Sequence, residues 1–156
     1  MPVNYIQNAS LDDLVSSLSR FKAEGSRDPK VRQLAEIAVA GEQDQISAVH
    51  NFVRDTFPYQ PDPENSELFI HPRKVAQDYF TSRIRRFDCD DSAMLVGSML
   101  SSLGYETRIL LVELRGPGID HALAQVKTSI GWLAVDAVSS KPLGWIEQYK
   151  QVIIVP

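Results

Sequence analysis

Residues 88–104 read DCDDSAMLVGSMLSSLG and hold the one cysteine of the chain. Asp88 followed three residues later by Asp91 has the arrangement of a capping box. Val96, Met99, Leu100 and Leu103 then recur at helical spacing until Gly104 supplies a stop. The stretch predicts a helix capped by Asp88 and beginning at Cys89. A thiol at that position meets unpaired backbone N–H groups and the positive end of the helix dipole, which favour its ionised form. The aspartates around it act in the opposite sense, although a carboxylate spent on capping N–H groups is partly neutralised by them. Cys89 therefore reads either as a reactive thiol or as a small buried hydrophobe.

Beyond Gly104 the apolar pattern changes to period two with β-branched residues. Thr107 to Leu114, Asp120 to Lys127, Trp132 to Val138 and Gln151 to Val155 read as strands. Upstream the pattern is helical. Ser10 caps a helix carrying Leu11, Leu14, Val15, Leu18 and Phe21, with Asp13 as its capping-box acid. Asp28-Pro29 opens a second helix that runs to Gly41, and a third runs from about Asp44 to a point before Pro58. Pro58 to Asn65 is too rich in proline for either element and reads as a loop, after which Pro72 opens a short helix through Tyr79 and Phe80. Helices followed by strands with short turns predict an α+β domain with an antiparallel sheet. We expect one domain over 1–156, with a core at about 45–140 and an N-terminal helical extension at 10–41.

Composition narrows the functional classes. A net charge of -4 with a pI near 5.3 offers no basic field for nucleic acid phosphates. One cysteine cannot close an internal disulfide and leaves a zinc site short of thiolates. Asp88, Asp90 and Ser92 imitate the opening of a calcium loop, but Ala93 stands where glycine is needed and Met99 where the closing glutamate belongs. Gly116-Pro117-Gly118 is a turn, not a phosphate-binding loop. We expect no metal, no cofactor and no nucleic acid partner. The residues MPVNYIQNASLDDL lack a secretory pattern and no apolar stretch is long enough to span a bilayer. The expected location is therefore cytoplasmic, in a reducing compartment and off the membrane.

A cysteine nucleophile needs a histidine to take its proton and an acid or amide to orient the imidazole. The chain has three histidines. His50 falls in the third helix near its apolar face, His71 precedes Pro72 in a cap or surface position, and His121 starts a strand after a loop. If Thr128 to Gly131 closes a turn, Lys127 pairs with Trp132, and Asp136 falls opposite Leu123 on the face that carries His121. Those two side chains then become diagonal neighbours within reach of a hydrogen bond. A carboxylate in so apolar a strand needs a partner, and His121 is the candidate within reach.

Cys89, His121 and Asp136 in that order, with AVHNFVRDTFPY at 48–59, DCDDSAMLVGSMLSSLGYETR at 88–108 and GWLAVDAV at 131–138, resemble the transglutaminase-like superfamily of papain-like cysteine enzymes. The sequence departs from that pattern at Phe87, where the superfamily usually has glycine, at Leu123 in place of an aromatic, and at Ala137-Val138 in place of Pro-Thr. The resemblance implies a papain-like fold, with Cys89 as nucleophile, His121 as base and Asp136 as orienting acid. It implies an amide-bond enzyme acting on protein or peptide through a thioester, resolved by water or by an amine. The backbone N–H of Cys89 would be one oxyanion donor, with Tyr79 or Gln77 as the second. Phe87 would narrow the cleft beside the thiol. The short, aspartate-rich form resembles proteins of bacteria and their phages, so a virion-associated location and a catalytically idle binding or structural module are the alternatives.

Overall fold

The helix beginning at Cys89 is the axis around which the chain folds. The computed structural model describes residues 3–7, 10–61, 66–83 and 87–156. Its elements are β1 (Val3–Gln7), α1 (Leu11–Ser26), α2 (Pro29–Val39), α3 (Gln45–Thr56), β2 (Ser66–Ile70), α4 (Pro72–Phe80), α5 (Cys89–Ser102), β3 (Thr107–Val112), β4 (His121–Thr128), β5 (Gly131–Val135) and β6 (Val152–Val155). The capping box forms as the sequence implies. Asp88 Oδ1 accepts from the N–H of Asp90 at 3.1 Å and of Asp91 at 3.2 Å, and Asp91 Oδ2 accepts from Asp88 N–H at 3.3 Å.

Every residue of α5 from Asp90 to Leu100 is buried. A helix enclosed on all sides must be covered by several elements, and α1, α2, α3 and α4 pack on it from one side while β3 and β4 do so from the other. The crossing with α1 is close because small residues face it: a Cβ on Gly97 would stand 2.9 Å from Lys22 Cδ. The N-terminal helices therefore build the core, with Leu18 and Phe21 of α1 joining Met94, Ile109 and Leu111.

The main sheet has the order β5-β4-β3-β6 with every neighbour antiparallel. One face, carrying Ile109, Leu111, Ala124, Val126 and Val135, meets α5 and its neighbours. The opposite face carries Leu110, Val112, Leu123 and Ala134, partly covered by Leu114 and by Ile146 from the segment after β5. Lys127 pairs with Trp132, the register the sequence implied, although Thr128 and Gly131 also pair, so the turn is one step tighter. No described helix is long and apolar enough to cross a membrane.

Three differences from the sequence reading have physical causes. β3 stops at Val112 instead of Leu114, because the Asp120 carboxylate takes the N–H groups of Leu114, Arg115 and Gly116. β5 stops at Val135 instead of Val138, because Asp136 Oδ1 accepts from Val138 N–H at 3.2 Å and turns the chain out of the ladder. β1 and β2 form a separate antiparallel pair that local periodicity did not indicate, since the partners are far apart in the chain. Of the loop expected at 58–65, residues 62–65 lie outside the described residues.

Lys22 is buried, with Nζ donating at 3.1 Å to both the carbonyl and the hydroxyl of Thr107. Burial lowers its pKa, so folding disfavours the charged amine relative to the unfolded chain. The cost of its charge is fully present below the lowered value and disappears as the pH rises to the ordinary lysine range. Wild type should therefore gain stability relative to Lys22→Met as the pH rises from neutral toward that range. Urea unfolding midpoints of the two proteins across that interval check it, and parallel profiles would contradict it.

Candidate active site

Asp136 is held at both its ends. Its backbone carbonyl accepts from His50 Nε2 at 3.1 Å, and its Oδ1 accepts from Val138 N–H. The remaining oxygen, Oδ2, lies 2.6 Å from His121 Nε2. An ionised carboxylate can only accept, so Nε2 carries the proton and the tautomer is fixed. Nδ1 is the nitrogen left for acid–base work. Both side chains are largely enclosed, with relative exposures of 18% and 13%, a setting in which the contact is little screened by water.

His50, expected near the apolar face of the third helix, is packed there. It is 2% exposed in α3 and anchors the backbone of Asp136. Its position on the apolar face of α3 was legible, but its partner is set by tertiary packing alone. His71 is the cap that the sequence suggested: Nδ1 accepts from Arg73 N–H while Nε2 pairs with Glu24 at 3.2 Å.

Cys89 stands at the start of α5 and is, as a whole residue, half-buried. Lys127 N–H bonds to Glu106 on the β3 side, so the even-numbered N–H groups of β4 point toward β5. Because β5 ends at Val135, opposite Ala124, the N–H of Ala122 has no strand partner there, and it hydrogen-bonds the sulfur. The structure therefore joins His121 to Asp136 directly and joins Cys89 to the backbone beside His121. The described contacts of the sulfur include Asp90 Oδ1 at 3.9 Å and no hydrogen bond to the imidazole.

Burial pushes the Cys89 thiol well above its ordinary pKa, Asp90 and Asp88 add to the rise, the Ala122 N–H opposes it, and Asp136 adds a smaller increment. Burial and the aspartates outweigh the helix end, and the resting group is a neutral thiol. The Asp91 carboxyl is also pushed well above the usual carboxylate range, mainly by burial and then by Asp88, while its Oδ1 accepts from Ile70 N–H at 2.8 Å and ties β2 to the start of α5.

A cavity of about 230 Å³ opens over the His121–Asp136 pair, lined also by Tyr59, Arg115, Val138, Trp145 and Glu147. Tyr59 reaches it because Pro58 and Gln60 bond to Phe87 through N–H···O contacts of 3.2 and 2.9 Å, which lay the loop alongside the residues before α5. Its phenol is pushed up, first by burial and then by Cys89, Asp88 and Asp90, so it remains a hydroxyl donor in the field of the sulfur. Sequence reasoning missed Tyr59, although AVHNFVRDTFPY ends on it.

Tyr79 and Gln77 are corrected as oxyanion candidates. Tyr79 packs in an aromatic cluster with Phe52, Phe57 and Phe80, and Gln77 lines other clefts with His71 and Arg73 or with Lys74 and Asp78. Phe87 does not narrow the cleft either. It is 2% exposed and turned into the core against Phe57, with ring centroids 5.3 Å apart. Among the described residues no group of three or more His, Cys, Asp or Glu is placed to hold a metal ion.

A central helix starting at the cysteine, packed on an antiparallel sheet that presents histidine and aspartate from adjoining strands, is the papain-like arrangement. The model of the transglutaminase-like superfamily matches residues 32–137, and the chain belongs to that superfamily. Two crystal structures share the fold. One is named a "putative cysteine protease" from Cytophaga hutchinsonii (TM-score 0.55, 14% identity, covering 97% of this chain and 61% of that one). The other is named a "putative protease" from Parabacteroides distasonis ATCC 8503 (TM-score 0.53, 11% identity, 83% of this chain and 27% of that one). The chain thus spans about three fifths of the first and about a quarter of the second. No curated protein matches it.

The electrostatics make a direct prediction. Followed by the ultraviolet absorbance of the thiolate, Cys89 should ionise above the ordinary thiol range, and Asp90→Asn should shift that titration downward. Ionisation already complete at neutral pH, or a titration unmoved by Asp90→Asn, would contradict it.

Proposed function

We propose that this protein is a cysteine-dependent amide-bond enzyme acting on a peptide or protein substrate. The observation that carries the reading is the 2.6 Å contact from His121 Nε2 to Asp136 Oδ2, beside a thiol at the start of α5 and beneath an open cavity. His121 Nδ1 takes the proton of Cys89 as Sγ attacks the carbonyl carbon, and a tetrahedral adduct forms. The imidazolium then gives that proton to the leaving amine as the C–N bond breaks, leaving a thioester. Water attacks the thioester, losing a proton to His121, and the acid and free thiol are released; an amine in place of water gives transfer instead of hydrolysis.

The raised thiol pKa is compatible with this course, although Asp90, Asp88 and Asp136 disfavour a lone thiolate. Moving the proton from Sγ to Nδ1 leaves the net charge of the pair unchanged, so the pair is opposed less by that field than ionisation to solvent is. For the oxyanion, the N–H of Cys89 is the first donor. The Asp88 cap takes the N–H groups of Asp90 and Asp91, not that of Cys89. The Tyr59 hydroxyl is the second donor, in place of Tyr79 or Gln77.

A second reading, an idle module that kept the fold, draws on the missing bond between sulfur and imidazole and on the neutral thiol. Iodoacetamide alkylation of Cys89 against pH separates the two. The enzyme should react at neutral pH in wild type, fall by about 100-fold or more in His121→Ala, as befits loss of a general base, and fall by an intermediate factor in Asp136→Asn. A slow profile that is the same in all three proteins would establish the idle module.

A further inference from the structure

Arg115 is the cation on the wall of the cavity over His121 and Asp136. It stands on the loop between β3 and β4, and the backbone of that loop is fixed: Asp120 accepts from Leu114, Arg115 and Gly116 at 2.8, 2.8 and 2.9 Å, and Glu113 accepts from Gly118. The carboxylates nearest to Arg115 in the chain are thus occupied by N–H groups. Arg115 itself is exposed and forms no ion pair among the described residues. Arg115 and Tyr59 line this cavity together with His121 and Asp136, and the charge of Arg115 is felt at Tyr59, which also feels Cys89.

Glu147, from the segment after β5, is the other charged side chain on this wall apart from the His–Asp pair. Opposite charges on two separate segments give the cleft a polarity. A substrate anion is accepted on the loop that carries Arg115 and repelled from the segment that carries Glu147. A guanidinium on a rigid loop offers a fork of donors that matches a carboxylate in two parallel bonds. The charge of Arg115 also acts on Asp120 of its own loop, but that carboxylate is held by backbone N–H groups and forms no ion pair with the guanidinium among the described residues, which leaves the fork of donors open to a ligand.

We infer that Arg115 is a specificity-determining residue which binds a carboxylate of the peptide substrate beside the scissile amide. The chemistry fits two sources, a free C-terminal carboxylate or an acidic side chain. The inference rests on the reading of Cys89 as the attacking thiol, and Arg115 takes no part in the bond-making steps.

Three alkylating probes test it: bromoacetyl-glycine, which carries a free C-terminal carboxylate; bromoacetyl-aspartyl amide, which carries only a side-chain carboxylate; and bromoacetyl-glycinamide, which carries neither. Rates at Cys89 are compared in wild type, Arg115→Gln, the charge control Lys127→Gln and His121→Ala. At least one carboxylate probe should exceed the amide in wild type, and that ratio should fall about fivefold in Arg115→Gln, the effect of one solvent-exposed charge pair. The ratio should be unchanged in Lys127→Gln, and the probe favoured identifies the source of the carboxylate. Equal rates for the three probes, a ratio unmoved by Arg115→Gln, or the same loss in Lys127→Gln would overturn the inference. Rates that do not depend on His121, or a sulfur that reacts with no probe, would instead overturn the catalytic reading on which it rests.

Discussion

The ladder between β4 and β5 ends at Val135, and the candidate site depends on that ending. One more paired residue would have satisfied Ala122 N–H within the sheet and kept Asp136 in a regular strand. Instead Asp136 bonds its own segment at Val138, its carbonyl is taken by His50, and its free oxygen meets His121. The same ending directs the Ala122 N–H at the sulfur. A single local competition, an aspartate side chain against a backbone ladder, thereby arranges base, acid and sulfur together. The Asp120 carboxylate does the equivalent at the end of β3, and it fixes the loop that carries Arg115.

The electrostatics distinguish a capping role from a field effect. Asp88 and Asp91 cap α5 as the sequence implies, and Asp88 spends Oδ1 on two N–H groups. Neutralisation by those contacts is incomplete, and in a buried setting the residual field still holds the thiol protonated. Such a thiol is protected from adventitious ionisation until a base is aligned with it. In the proposed mechanism, reactivity belongs to the Cys89–His121 pair as a unit, with Asp136 fixing which nitrogen serves as the base.

The sequence revealed what local pattern encodes. The cap at Asp88, the stripe of α5 and the period-two strands sit within a few residues of their observed bounds, and the Lys127–Trp132 register follows from one turn length. That register alone made the meeting of His121 and Asp136 legible. What long-range packing decides was not. The β1–β2 pair, the contact of His50 with Asp136 and the laying of Tyr59 alongside Phe87 all join residues remote in the chain. Phe87 shows the same limit: its side chain could be placed next to Cys89 from sequence, but only packing against Phe57 shows that it turns inward. Tyr79 and Gln77 failed as donors for a related reason, since proximity along the chain does not fix which way α4 faces.

The most direct test of the account is the protonation pattern of the His121 ring, read by nitrogen-15 NMR at neutral pH in a Cys89→Ala background and again with Asp136→Asn added. The account predicts a neutral ring with the proton on Nε2, in a strong hydrogen bond that is lost when Asp136 is replaced, and an unprotonated Nδ1. A ring with its proton on Nδ1, or a pattern indifferent to Asp136, would contradict it.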